Sequence, residues 1–545
     1  MKEQLHESLL PTVGERKVES EEYTELRPRV SSVMDSETGS WHLHASNLGE
    51  SSTGGEEKGD LGVLTSTGMH QTDLTYAYTV LAVLLFTFIS NQWSRQSINY
   101  LCNFSDSTDD KDKDEYMNLD LDFNQEEYAT LSSVIFSVVF ATCSLMAGSA
   151  SDRYRRDWMA IFGCAVWSAA TAAQAFIGDY GLLCAARIII AISQAFFNPI
   201  AYTLLADLFP KSKLGEANGI FTTGIYVGGG LASISIVIDH SIGWRMTMLV
   251  IGGIGGLATV LLLLLVKDPR ETNKHIDDTD VNRTHEKQSK VGNVKITGDS
   301  VVHSNIEQLK HMVRAVGVVF SKRQAQYIYA ASTIRFMAGF SILTWKAPFI
   351  FDKFDGKEDF FSFTNAVVVG VVGLLSTVVG GYLADLLANP PANSGRKPRA
   401  RAWIPAIGSI LTVPCWIFFI RASTIEMTMV ALTFEYLFAE CWFGPTLATL
   451  FTTVDPEVRG TAQGIFSVLT AVGNVAPLLI GSLAGGSAAD YNLGDVMLFI
   501  IGGLYAISGI IFVKIAMVDD KNLERERLQK ESHTLIYEDE SVDGV

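Results

Sequence analysis

The chain has 545 residues, 48% of them hydrophobic and only 19% charged, yet its formal net charge is −17. The acid is concentrated: residues 1–73 carry 14 acids against 6 bases, 102–127 carry 10 against 2, and 518–545 carry 9 against 4, so the remainder is slightly basic. Such a chain is too apolar for a wholly disordered acidic protein and lacks the basic face of a nucleic-acid binder. Its six cysteines, five of them in apolar stretches, show neither CxxC nor Cys/His spacing, which excludes a disulfide scaffold and a metal site.

Residues 1–73 are polar throughout, which argues against a cleavable signal peptide and predicts a disordered acidic tail. Twelve segments then reach the roughly 20 apolar residues that a spanning helix needs. They are 76–101, 129–149, 157–177, 180–205, 216–238 and 245–266, followed by 325–351, 362–387, 402–421, 426–451, 461–486 and 494–517. The pattern predicts an all-α membrane protein with two six-helix bundles, 74–266 and 325–517. The polar loop 267–324 lies between them, and Ile306, Leu309, Met312, Val313 and Val316 have the spacing of an amphipathic helix on the membrane surface. A second acidic tail, 518–545, follows.

The bundles repeat one another. Gly148 and Asp152 end the second segment as G-x-x-x-D, and Gly381 and Asp385 end the eighth in the same way. Gln194, Pro199 and Pro210 answer to Glu440, Pro445 and Pro456, each 246 residues later. Lys and Arg in short loops mark the cytoplasmic side. Arg153, Arg155 and Arg156 follow segment two, Lys211 and Lys213 follow four, and Arg396, Lys397, Arg399 and Arg401 follow eight. Both tails and the central loop then face the cytoplasm. The acidic 102–127 loop faces outside or a lumen, where the sequon at Asn103 is open to glycosylation; the sequon at Asn282 is not. Tyr23 to Leu26 and Leu535–Ile536 fit short sorting patterns, so an endolysosomal or plasma membrane is expected.

Twelve helices in two parallel halves, with G-x-x-x-D-R-x-R-R from Gly148 to Arg156, resemble the major facilitator superfamily. Within it, the chain is similar to the spinster-type transporters. The similarity lies in Asp122 to Arg156, Ala186 to Ala195, Ala206 to Pro210, Gly243-Trp244-Arg245 and Trp345 to Pro348. The resemblance implies two bundles that rock about a midplane site to give alternating access. It also implies an amphipathic lipid, a lysolipid or sphingoid compound, as substrate. The spinster pattern places proton-handling carboxylates in the first and fourth helices. This chain has Ser94 and Gln194 there, and neither titrates near neutral pH. Any proton coupling then falls to another group, and Glu440, at the repeat position of Gln194, is the candidate.

An ionisable residue at the centre of a membrane helix costs roughly 2.5–3.5 kcal/mol, so each needs a reason. Arg95, Arg187 and Arg335 are read as cavity cations for an anionic head, with Gln194, Glu440 and Trp345 completing the substrate site; a salt bridge or snorkelling is the alternative for Arg95, and bonding carbonyls near the first helix is the alternative for Arg187. For Glu440 a structural pair with an arginine is the equal alternative. Lys346 can snorkel towards the nearer surface, and Glu435, five residues from Glu440, points to another face. Gly148, Asp152, Arg153, Arg156 and Asp385 are read as a gating latch, in which small residues let helices approach and charges pair at helix ends; loop charge that only sets orientation is the alternative. No Ser/His/Asp set, HExxH or nucleotide-binding loop occurs, so neither an enzyme nor a cofactor is expected. The expected protein is a monomeric transporter whose partners are its solute and membrane lipids, with protons as a candidate co-substrate. A facilitator or symporter of a small organic anion, and a receptor on the same fold, are the alternatives.

Overall fold

The computed structural model describes residues 30–34, 41–45, 71–105, 116–210, 212–269, 314–389, 398–455, 458–485 and 492–542. It divides into one unit of residues 1–68 and another of 69–545. In the first, β1 (Val30–Met34) pairs antiparallel with β2 (Trp41–Ala45), Val30 opposite Ala45 and Met34 opposite Trp41. This pair falls where the composition predicts disorder. Tyr23 to Leu26, and Ile306 to Val313 of the expected amphipathic helix, lie outside the described residues; 314–320 is helical.

The second unit is helical. Its first half holds α1 (Gln71–Gln96), α2 (125–153), α3 (Arg156–Phe176), α4 (Tyr180–Leu208), α5 (214–242) and α6 (244–265). Its second half holds α7 (Arg323–Lys353), α8 (Glu358–Ala388), α9 (Trp403–Arg421), α10 (425–453), α11 (459–485) and α12 (Leu493–Val542). Among the described residues, nine helical runs are long and apolar enough to cross a membrane, and one of them, Leu214–Leu265, contains both α5 and α6. Gly243 separates these two at φ 80°, a conformation that a side chain would strain. The more polar α7 and the interrupted α10 complete the expected twelve.

Local chemistry sets the helix starts and breaks. Asn124 opens α2 with a capping box: its side chain accepts from the Glu126 and Glu127 N–H groups, and Glu127 accepts from Asn124 N–H. Asp179 caps α4 and Thr424 caps α10. Pro199 and Pro445 lack the N–H that would bond the carbonyl four residues earlier. Accordingly α4 breaks at Phe196 and α10 passes through a 3₁₀ turn at Glu440–Trp442. The repeat is therefore structural: Gln194 and Glu440 both lie at an interrupted turn. A π-helical turn occurs in each of α2 and α8, at Thr130–Ile135 and Val368–Gly373.

The two halves share one hydrophobic core at one face, whereas the cores towards the other face each belong to a single half. One hydrophobic core draws residues from both, including Trp93, Tyr128 and Trp244 with Trp345, Phe361 and Trp416. It lies at the face of the α1–α2 and α7–α8 connections. A second core, with Phe88, Trp167 and Phe221, belongs to the first half, and a third, with Tyr329, Trp442 and Phe466, to the second. Both lie towards the α2–α3 face. The polar contacts agree with this division. Ser233 and Ser362 donate to each other's carbonyls at 3.0 and 2.7 Å, Asn365 donates to Ser233 and Tyr100, and Tyr128 donates to the Thr344 carbonyl at 2.7 Å. The backbones touch here: a Cβ on Gly230 would lie 2.8 Å from the Ala366 carbonyl oxygen. At the α2–α3 face, the ion pairs among the described residues stay within one half. Arg156 joins Asp207 at 2.7 Å and Asp268 at 2.5 Å, Arg401 joins Asp385 at 2.9 Å, and Lys322 joins Asp455 at 3.2 Å.

Candidate functional site

From Asn91 to Asn99, α1 and the turn after it are polar yet largely buried, which places this stretch against protein. Ser94, at the position where the spinster pattern has an acid, shares a 2.7 Å hydrogen bond with Thr171 of α3. Two residues of α4 clasp the backbone of α1. Arg187 donates to the Arg95 carbonyl at 3.1 Å, and Gln194 donates to the Asn91 carbonyl at 3.3 Å.

The Arg95 guanidinium lies over the rings of Phe136 and Phe140, at 4.5 and 4.9 Å, and Arg187 shares the Phe136 ring at 5.2 Å. These phenylalanines stack on one face of α2, four residues apart. Ring faces attract a desolvated cation by up to about 2 kcal/mol, but they do not neutralise it. Among the described residues no carboxylate pairs with Arg95 or Arg187. Arg187 Nε and Gln194 Oε1 are buried without a hydrogen-bond partner. Two guanidinium groups on one aromatic platform thus leave positive charge and a donor for an anion to satisfy.

The second half holds twice as many charges, Arg335 and Lys346 against Glu435 and Glu440, which balance in sign; Arg335 Nε, like Arg187 Nε, is buried without a partner. Arg335, 1% exposed, donates to the Ala439 carbonyl at 2.7 Å, approaches Glu440 at 3.7 Å and lies 4.6 Å over the Tyr505 ring. Tyr505 donates to Glu435. Lys346 is fully buried and donates to Tyr436 at 2.8 Å, so it does not snorkel. Glu440 also accepts from Tyr226 of α5 at 3.4 Å. Glu435 and Glu440 therefore do face different partners.

The other predicted residues lie elsewhere. Trp345 is fully buried at the joined face, donates to the Pro477 carbonyl at 2.9 Å and meets Tyr128 edge-on, so it does not line the arginine site. Packing against Tyr128 of the other half occupies its ring, and Pro477 of its own half takes its N–H. Arg156 ties the ends of α3, α4 and α6 within the first half, and Arg401 supplies Asp385 with the arginine that its own loop position lacks. The side chains of Gly148, Asp152 and Arg153 lie outside the described residues. Asn103 is 4% exposed, and its Oδ1 accepts from the Ser105 N–H, so glycosylation there requires this segment to open. Sequence reasoning did not single out Phe136, Phe140, Tyr226 or Tyr505. The i, i+4 phenylalanines carried a signal; the two tyrosines carried none, because their partners are more than 60 residues away.

A family model described as Major Facilitator Superfamily matches residues 113–477. Protein spinster of Drosophila melanogaster is 24% identical over 372 residues, 65% of this chain but only 55% of that relative's length. Protein spinster homolog 3 of Danio rerio is 24% identical over 429 residues, 72% of this chain and 79% of the relative. A crystal structure of a bacterial homolog to the human lysosomal transporter spinster, inward-facing and unoccupied, matches with a TM-score of 0.59 at 16% identity. It covers 81% of this chain and 96% of the bacterial one. At that identity the likeness establishes the fold alone.

Proposed function

This chain belongs to the major facilitator superfamily, and from that premise we propose that it moves an amphipathic, anionic, lipid-like solute by alternating access. It is a multi-pass membrane transporter related to the spinster proteins. The observation that carries the substrate reading is the Arg95–Arg187 pair, two cations on the Phe136–Phe140 platform with no carboxylate among the described residues. An anionic head would neutralise the pair and take the free Arg187 Nε donor. The aromatic platform beside it suits the first carbons of an apolar tail.

In this reading the α2–α3 face is cytoplasmic, as the loop cations argue, and parting of the halves there gives such a solute a route in from the cytoplasm. Rocking to the opposite form must break the Ser233–Ser362 exchange and close the α2–α3 face. In this reading Gly148, Asp152 and Arg153, with Arg156, form the latch of that closure, and Asp385 with Arg401 serves the second half. Both tails are then cytoplasmic, and kinship with spinster proteins favours an endolysosomal membrane.

Flux into proteoliposomes tests the reading, with anionic lysolipids compared against small organic anions, each with and without a pH gradient. Lysolipid flux that is lost in Arg95→Ala, in protein that still elutes as a folded monomer, is the expected result. Undiminished flux in that variant overturns the site. Flux confined to small anions assigns the same arginines a different solute, and ligand-dependent signalling without flux of either class rejects transport.

A further inference from the structure

At the level of the site, one polar chain crosses between the halves. The Tyr226 hydroxyl of α5 bonds Thr377 of α8 and Glu440 of α10. Thr377 donates to Tyr226, which leaves the tyrosine proton for Glu440; Thr377 Oγ1 also lies 3.2 Å from the Glu440 carbonyl oxygen, and Glu440 faces Arg335 of α7. The fit is specific. Gly373 closes the π turn of α8, and a Cβ there would stand 2.9 Å from the Tyr226 ring, so the absence of a side chain makes the berth for the tyrosine. Tyr226 lies twelve residues into α5, nearer the middle of the membrane than the Ser233–Ser362 contact. Glu440 retains 27% side-chain exposure, so water and solute reach it. The other ionisable groups near it are Lys346 on α7, Glu435 and Tyr436 on α10, and Tyr505 on α12.

We propose that Tyr226 is a positioning residue that reports the charge of Glu440 to the first half and so biases which face of the transporter is open. Ionised Glu440 accepts from Tyr226 and holds α5 against α8 and α10 in the form described here. Loss of that charge weakens the bond, because a neutral group is a poorer acceptor. An anion that takes Arg335 from Glu440 disturbs the same chain. The halves are then freer to rock towards closure of the α2–α3 face. This rests on the rocking reading but not on the identity of the solute.

The test follows the distance across the α2–α3 face without any solute. Spin labels enter as noncanonical residues at Tyr154 and Asp455, both exposed and one in each half, so the native cysteines stay. Glu440→Gln should move the protein from the long-distance to the short-distance population, by about tenfold in the population ratio, the size expected for losing a hydrogen bond to a charged group. Tyr226→Phe, which keeps the ring, should shift the same way, and combining the two should add little. Gly373→Ala keeps the hydroxyl but crowds the ring and should match Tyr226→Phe. Tyr226→Phe with the wild-type populations overturns the proposal, as do additive effects in the double variant. A lack of lysolipid flux with these distance shifts intact would instead discard the substrate reading alone.

Discussion

The two halves are copies in outline and opposites in charge. At the break in α4 the first half has Gln194, about two turns beyond Arg187, and the groups that Gln194, Arg187 and Arg95 meet are carbonyls and phenyl rings. At the matching break in α10, the second half has Glu440 beside Arg335, with Glu435 and Tyr505 close by. A buried cation with a carboxylate partner is a completed structural element, and removing either partner strands the other. A buried cation with none is incomplete until a ligand arrives. The difference teaches that position in the repeat does not define the binding side chain; the local charge balance does.

The largest expected effect tests the incomplete side. Arg187→Met should weaken binding of an anionic solute by about 100-fold, the upper range for a hydrogen-bonded charge. Its stability should fall only by about 1 kcal/mol, for the lost bond to the Arg95 carbonyl, because no acid is left behind. Arg335→Met should cost more stability. It strands Glu440, which is partly solvated, so unfolding in detergent should show a loss of about 2 kcal/mol, below the full cost for a wholly buried pair. The double variant Arg335→Met/Glu440→Gln should recover most of that loss. If Arg187→Met and Arg335→Met destabilise equally, the contrast between the halves fails.

A smaller effect comes from making the halves alike. Gln194→Glu places a carboxylate near Arg187, and anion binding at neutral pH should fall about tenfold by competition for the cations, consistent with a pair at an effective dielectric near 20. Acid should restore it, because the protonated carboxyl no longer competes. A binding isotherm at two pH values is sufficient, and unchanged affinity at neutral pH would show that the glutamine does not face the anion site. The smallest effect is on the platform. Phe136→Leu keeps the bulk but removes a ring under both arginines, and solute affinity should fall about fivefold, near 1 kcal/mol of cation–π energy.

Much of the architecture was legible without coordinates. Lipid demands a local property, a long apolar run with its backbone bonds made internally, so a spanning helix announces itself in consecutive residues. Proline is equally local, and Pro199 and Pro445 marked the breaks that the structure shows in α4 and α10. The π turns in α2 and α8, and the strand pair of residues 30–45, carried no such signal.

The sequence by itself determined the twelve spans, the repeat, and the short roster of charges inside the membrane. Only the tertiary structure decided which of those charges are satisfied. It turned Glu435 to Tyr505, drew Glu440 between Arg335 and Tyr226, buried Trp345 at the joined face, and left Arg95 and Arg187 over phenyl rings. The physical reason is distance along the chain. A helix is specified by neighbours three and four residues away, whereas the partner of a buried charge comes from another helix, and its identity depends on how all the helices pack.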